Sequence, residues 1–119
     1  MLLKVLRSKI HRATITDAHV DYVGSVTIDR DLIDASGMLA GECVLVADLT
    51  DGARFETYVM EGERGSGTIC INGAAARLVD VGDHIIIMAF AYATPEEAAQ
   101  LKPSIVLVDE NNRITGKLP

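Results

Sequence analysis

Residues 42–60 read ECVLVADLTDGARFETYVM, a pattern that predicts a β hairpin. Glu42–Leu49 is rich in valine and leucine, and the valines favour a strand. Thr50-Asp51-Gly52 is a turn motif in which Asp-Gly supplies the positive φ values, and Arg54–Met60 then returns as the second strand. The centre of the chain is therefore predicted to be β structure.

Further strands are predicted outward from this hairpin, where aliphatic and β-branched residues cluster. The segments are Leu2–Thr16 (one long strand or a bent pair), Val26–Ile28, Thr68–Ile71, His84–Tyr92 and Ile105–Val108. Asp17–Asp21 is polar enough for a turn, Gly62–Gly67 predicts a polar loop, and the residues from Asn111 onward predict a polar tail.

The predicted helices are short. Asp29 is a candidate N-cap of a helix that runs through Ser36 and ends at Gly37. Gly73–Leu78 predicts an alanine-rich helical turn, and Thr94-Pro95-Glu96-Glu97 has the cap, proline and acidic residues of a helix N-terminus. Many short strands with few helices predict a mainly β domain, a closed or nearly closed barrel, rather than a parallel α/β sheet.

Composition limits the functional classes. The 119 residues suit one domain, 1–119, with an aliphatic core, because 49% are hydrophobic and only 4% aromatic. The longest apolar run, Ile85–Tyr92, suits a buried strand rather than a membrane span, and no targeting segment is evident, so we expect a cytoplasmic protein. The net charge of −6 argues against nucleic acid as a partner.

Metal and thiol chemistry are not predicted. His11, His19 and His84 are isolated in the sequence, and no metal-binding motif is present. Cys43 and Cys70 lie in apolar stretches without CxxC spacing, so we expect buried, reduced thiols. No GxSxG motif indicates a serine hydrolase.

Gly24-Ser25 is a candidate for self-cleavage of the backbone. A serine hydroxyl can attack the preceding carbonyl and convert the amide into an ester, and glycine at that position does not obstruct the attack. Elimination of the ester and hydrolysis would convert Ser25 into a pyruvoyl group, an electrophilic ketone that no ordinary side chain provides. Gly65-Ser66 is a second copy of this dipeptide, and it is interpreted as a turn.

Several polar residues allow two interpretations each. Lys9 and His11 share one face of a strand, either as a solvated face or as part of a cationic site. Arg54 and Tyr58 also share a face, either as an exposed arginine and a packed tyrosine with a solvated hydroxyl or as a cation combined with a phenol. Thr57 should point the other way unless a bulge or twist intervenes. Asn72-Gly73 is either a turn or an amide beside free N–H groups that suit an oxyanion.

Taken together, these motifs resemble the bacterial aspartate 1-decarboxylases. The matching segments are Lys9-Ile10-His11-Arg12-Ala13 through Thr16, Tyr22-Val23-Gly24-Ser25, Gly52–Tyr58, Glu63-Arg64-Gly65-Ser66 and Asn72-Gly73-Ala74-Ala75-Ala76. The resemblance implies a double-psi β barrel and a homotetramer with active sites between neighbouring subunits. It also implies cleavage into residues 1–24 and 25–119, with Ser25 becoming a covalent pyruvoyl cofactor in place of pyridoxal phosphate and without a metal.

The resemblance also implies the roles of individual residues. Ser25, as the pyruvoyl group, would form a Schiff base with L-aspartate, and Tyr58 would be the proton donor in the formation of β-alanine for pantothenate synthesis. Thr57 and Asn72 would assist processing around Gly24 and Ser25. The substrate site would be lined by Arg54, Lys9, His11, Thr57, Tyr22, Gly73, Ala74 and Ala75.

The chemistry of decarboxylation suggests which carboxylate of aspartate Arg54 and Lys9 bind. The side-chain carboxylate of aspartate persists in the product, so Arg54, assisted by Lys9, is expected to bind it. A strong cation on the departing carboxylate would stabilise the ground state. Two alternatives remain: a pyruvoyl enzyme for another dicarboxylic amino acid, or a non-catalytic, self-assembling β-barrel binding module.

Overall fold

The computed structural model describes residues 1–119 and contains nine strands, two α-helices and one 3₁₀ helix. The strands are β1 Leu3–Thr14, β2 Asp17–His19, β3 Ser25–Asp29, β4 Cys43–Asp48, β5 Arg54–Gly62, β6 Ile69–Asn72, β7 His84–Ala93, β8 Ser104–Val108 and β9 Ile114–Leu118. The helices are α1 Arg30–Ser36, the 3₁₀ helix Ala74–Leu78 and α2 Pro95–Gln100. No helix combines the length and apolar character needed to cross a bilayer.

The predicted central hairpin is confirmed as β4 and β5, which pair antiparallel from Cys43 opposite Tyr58 to Ala47 opposite Arg54. Its turn differs from the prediction, because only Gly52 has a positive φ, of 77°. The loop is longer than a two-residue turn: the Gly52 N–H donates to the Asp48 carbonyl, at an N···O distance of 2.9 Å. A longer loop needs only one left-handed residue.

The sheet closes into a ring through the bend between β1 and β2. The strand order is β2-β6-β3-β5-β4-β7-β1-β8-β9, so β1 and β2 lie at opposite ends of the first seven strands. These two strands are joined by Ile15 and Thr16, and the Thr16 N–H donates to the Ile69 carbonyl at 2.8 Å. Of the two possibilities for the N-terminal segment, the structure shows one long strand, β1, with register shifts between Leu6 and Ser8 and between Ile10 and Ala13. This closed, mainly β architecture confirms the predicted fold class and is consistent with a double-psi barrel.

Aliphatic side chains fill the interior of the ring. Alternation along each strand sends one set of residues inward. The buried cluster includes Ile10, Val26, Ile28, Val44, Val46, Val59, Ile69, Ile71, Ile85 and Ile87. Because this core occupies the interior, most polar side chains of the barrel strands lie on the outer face.

Two segments expected to be irregular are strands. Asp17–His19, within the predicted turn, forms β2 and pairs in parallel with β6. Ile114–Leu118, within the predicted polar tail, forms β9 and pairs with the edge of β8. In both cases main-chain pairing with an available strand edge overrides the polar composition.

Asp29 connects the barrel to its first helix. Its Oδ1 accepts N–H bonds from Asp31 at 2.8 Å and Gly65 at 3.0 Å, and its Oδ2 accepts one from Gly67 at 2.8 Å. Burial alone would raise the pKa of Asp29, but these three donors outweigh burial and lower its pKa below the usual range. The predicted N-cap is thus confirmed, and it also anchors the loop before β6.

We expect Asp29→Ala to lower the free energy of unfolding by roughly 1–3 kcal/mol at pH 7, because the cap and the loop anchor are lost together. The folded-state pKa lies below the unfolded value, so the stabilisation is complete above about pH 4 and disappears as the pH falls through the folded-state pKa. Urea unfolding of both proteins between pH 7 and pH 3 measures this difference. Asp51→Ala, which removes one N–H acceptor from an exposed turn, is the control. A pH-independent difference would contradict the assignment.

Candidate active site

Ser25 is the first residue of β3, and its side chain lies on the outer face, opposite to Val26. It pairs with Asn72 of β6 in the antiparallel ladder. Its neighbours cover it almost completely, because only 5% of its surface is exposed. The predicted nucleophile is therefore shielded from bulk water on a face that otherwise points outward.

The Asn72 side chain fixes the position of the Ser25 hydroxyl. Its Nδ2 donates to Ser25 Oγ at 3.0 Å and to Thr27 Oγ1 at 3.1 Å. Its Oδ1 accepts from the Cys70 thiol at 3.3 Å. Burial, with the Asp17 carboxylate as a second cause, raises the pKa of Cys70, which keeps the thiol protonated and able to donate. The amide is thereby oriented at both ends.

Gly73 packs directly against the backbone of Gly24. A Cβ added to Gly73 would lie 2.6 Å from Gly24 Cα and 2.9 Å from Gly24 N, and the φ of Gly73 is +83°. Glycine is needed here for both conformation and space. Ala74 and Ala75 follow at the start of the 3₁₀ helix, Ala74 exposed and Ala75 half-buried, so small residues surround the Gly24-Ser25 bond.

His19 organises the segment that leads into this bond. Its carbonyl accepts N–H bonds from Gly73 at 2.8 Å and from Tyr22 at 3.3 Å. The rings of His19 and Tyr22 stack with centroids 4.4 Å apart. Tyr22 is thereby held two residues before Gly24, with 61% of its surface exposed.

Tyr58 lies beside Ser25 on the neighbouring strand. β3 and β5 pair in parallel, and the first pair of the ladder is Val26 opposite Val59. Continuing this register back by one residue places Ser25 opposite Tyr58. Continuing the register back one more residue places Thr57 level with Gly24. Thr57 faces the other side of β5 from Tyr58, as predicted, because the β4–β5 register contains no bulge. Its side chain makes no hydrogen bond to Gly24 or Ser25.

Lys9 and His11 share the outer face of β1. They are half-buried on either side of the fully buried Ile10. Burial, followed by the charges of Lys9 and Arg12, lowers the pKa of His11, so its ring is neutral near pH 7. The buried Nδ1 atom of His11 has no hydrogen-bond partner.

The predicted site residues fall into two groups within one chain. Ser25 and Lys9 are separated by the strand sequence β3-β5-β4-β7-β1, four strand steps or roughly 19 Å along the sheet. Arg54 lies four residues from Tyr58, roughly 13 Å along β5. One group comprises Gly24, Ser25, Asn72, Gly73 and Tyr58, and the other comprises Lys9 and His11. Arg54 lies at the start of β5, apart from both groups and three strand steps from β1.

Two features were missed in the sequence. His19 is not isolated, because Asp17, His19 and Cys70 place three potential ligand atoms within 4.8 Å of one another. β2 was not predicted, so nothing in the sequence placed these residues together.

The expectation of two buried thiols is wrong for Cys43, which is exposed at the start of β4 and donates to Glu56 at 3.4 Å. Strand alternation directs it outward.

Comparison with known proteins identifies the family of this chain. Residues 1–115 match the family model described as Aspartate decarboxylase. The aspartate 1-decarboxylase of Caldicellulosiruptor saccharolyticus is 60% identical over 114 residues, which cover 96% of this chain and 89% of the relative. That of Lactiplantibacillus plantarum is 56% identical over 118 residues, 99% and 91% of the two chains. The chain belongs to the aspartate decarboxylase family.

Proposed function

We propose that this chain cleaves itself between Gly24 and Ser25 and then converts L-aspartate into β-alanine and CO₂ as a pyruvoyl-dependent decarboxylase. The observation that supports this most is the Asn72 hydrogen bond to Ser25 Oγ beside the close contact of Gly73 with Gly24. A buried, oriented hydroxyl next to an unobstructed glycine carbonyl is the arrangement that self-cleavage requires. The residues present therefore fit a pyruvoyl group at position 25.

The proposed cleavage has three steps: ester formation, elimination and hydrolysis. Ser25 Oγ bonds to the Gly24 carbonyl carbon while the Gly24–Ser25 C–N bond breaks, which gives an ester and a free amine. Loss of the Ser25 α-proton then expels the Gly24 carboxylate and leaves dehydroalanine. Water converts dehydroalanine into the pyruvoyl group and ammonia. Thr57, level with Gly24, is the proposed donor to the oxyanion of the first step.

The pyruvoyl group supplies an electrophilic ketone and an electron sink for the pair released as CO₂ departs. Arg54 and Lys9 bind the substrate carboxylate that remains in β-alanine, because a fork of guanidinium donors suits a carboxylate. His11, neutral near pH 7, lies beside Lys9 on the same face of β1 and lines the substrate site.

Tyr58 protonates the carbon from which CO₂ has left. It lies beside Ser25 in the parallel β3–β5 pair, and 37% of its surface is exposed. A phenol is a weak acid, but it donates readily to a strongly basic carbanion-like centre.

The division of the site between two groups supports assembly from several copies. We propose a homotetramer in which the Ser25 group of one subunit meets the Lys9 and His11 group of its neighbour. Exposed apolar residues next to Ser25, such as Tyr22 and Val23, would be covered in this contact. Location in the cytoplasm and supply of β-alanine for pantothenate synthesis belong to the same proposal.

The direct test is intact mass under denaturing conditions together with a β-alanine assay. We expect fragments 1–24 and 25–119, the second blocked at its N-terminus, and turnover of L-aspartate but not L-glutamate. Ser25→Ala should remain one inactive chain. An uncleaved wild-type chain would favour the binding module, and turnover of L-glutamate instead would reassign the substrate.

Thr57→Val should leave the chain folded but slow cleavage about 10²-fold, because the variant keeps the side-chain shape and removes one oxyanion donor. Thr57→Ser retains the hydroxyl and is the matched control. The rate is measured on denaturing gels after expression. Equal rates for the valine and serine variants would refute the role assigned to Thr57.

Gly73→Ala should slow cleavage about 10²-fold, because a Cβ at this position displaces Gly24. Gly41→Ala is the control: the φ of Gly41 is +85°, but its Cβ would meet open space. Backbone strain of about 1–3 kcal/mol should destabilise both variants, whereas only Gly73→Ala should impair cleavage. Equal cleavage rates would show that contact with Gly24 is unimportant.

A further inference from the structure

Asp17, His19 and Cys70 converge beside the Ser25 group. β2 and β6 pair in parallel, with Asp17 opposite Cys70 and His19 opposite Asn72. Residues two apart on a strand project to the same face, so all four side chains lie together on the outside of the barrel. A carboxylate oxygen, an imidazole nitrogen and a thiol sulfur come within 4.8 Å of one another.

These three side chains are already oriented by their neighbours. His19 Nε2 lies 2.9 Å from Asp17 Oδ2, and the His19 ring stacks on Tyr22. The other Asp17 oxygen, Oδ1, accepts the Ala18 N–H at 3.0 Å. The Tyr22 ring and the Ala18 N–H are outer contacts of the kind that orient ligands in metal sites, whereas the contact between His19 and Asp17 brings two of the ligands together.

We propose that Asp17, His19 and Cys70 form a binding site for Zn²⁺, with water as the fourth ligand. Carboxylate oxygen, imidazole nitrogen and thiolate sulfur are the donors that Zn²⁺ accepts, at about 2.0–2.3 Å in tetrahedral geometry. Sulfur and nitrogen donors disfavour Mg²⁺ and Ca²⁺, which prefer oxygen. Two anionic ligands also balance the charge of the divalent ion.

The site is open on one side and closed on the other. The side chains of Asp17 and His19 are 56% and 34% exposed, whereas Cys70 is buried. An ion therefore enters from solvent between Asp17 and His19 and meets the sulfur at the base. Binding forms a metal–sulfur bond and releases the thiol proton to water, with no change of oxidation state.

Metal binding is coupled to the environment of Ser25 through Asn72. The Cys70 thiol donates to Asn72 Oδ1, and a metal-bound thiolate has no proton to donate. The same amide donates to Ser25 Oγ and Thr27 Oγ1. Occupation of the site thus removes the contact that fixes which end of the amide faces Ser25.

Titration of the metal-free full-length protein with Co²⁺ tests the proposal. We expect thiolate-to-cobalt charge-transfer absorption in the near ultraviolet, visible bands of tetrahedral Co²⁺, and loss of both on addition of one equivalent of Zn²⁺. Cys70→Ser should abolish the charge-transfer band, and His19→Gln should weaken binding at least about tenfold. His19 is partly exposed, so this second variant does not depend on repacking a buried position.

Two controls separate this site from nonspecific binding. Cys43→Ser removes the exposed thiol, and His84→Gln disrupts a histidine–carboxylate pair, His84 with Glu110 at 3.2 Å, that lacks a cysteine. Both should bind Co²⁺ as the unmodified chain does. The proposal is overturned if the unmodified chain gives no charge-transfer band, if Cys43→Ser removes it, or if His19→Gln binds as tightly as the unmodified chain.

Discussion

The filled interior of the barrel is the constraint on which the rest of the structure depends. The bend at Ile15 and Thr16 closes seven strands into a ring, and aliphatic side chains occupy the space inside it. No room remains for a substrate within the ring, so the reactive groups lie on its outer surface. Ser25 points outward because Val26 and Ile28 must point inward.

The proposed reactive residue, Ser25, lies on the outer face of the barrel, so other parts of the structure must shield it from water. Asn72 and Gly73 contact Ser25 and Gly24, and Tyr58 lies at the level of Ser25, but Lys9 is four strand steps away along the sheet and Arg54 lies at the far end of β5. In the proposed tetramer, a second copy supplies the Lys9 and His11 group and excludes water from the site at the same time.

Local patterns in the sequence predicted the central hairpin, the Asp29 cap and the helix at Pro95, because each depends on neighbouring residues. The order of the motifs along the chain also identified Ser25 and Tyr58 as candidate active-site residues, but this order says little about distant pairing. It could not predict β2 or β9, whose pairing depends on distant strand edges. For the same reason, the convergence of His19 with Cys70 and the separation of Lys9 from Ser25 appear only when the strand order is known.

The most direct test of active sites shared between subunits uses hybrids of two inactive variants. Ser25→Ala retains Lys9 but cannot form the pyruvoyl group, and Lys9→Ala retains Ser25 but lacks the cation. Co-expressed subunits, purified through tags on both variants, should regain L-aspartate decarboxylation well above either parent, because some interfaces combine an intact Ser25 group with an intact Lys9 group. Hybrids no more active than their parents would show that each active site is built within one chain, which contradicts the account.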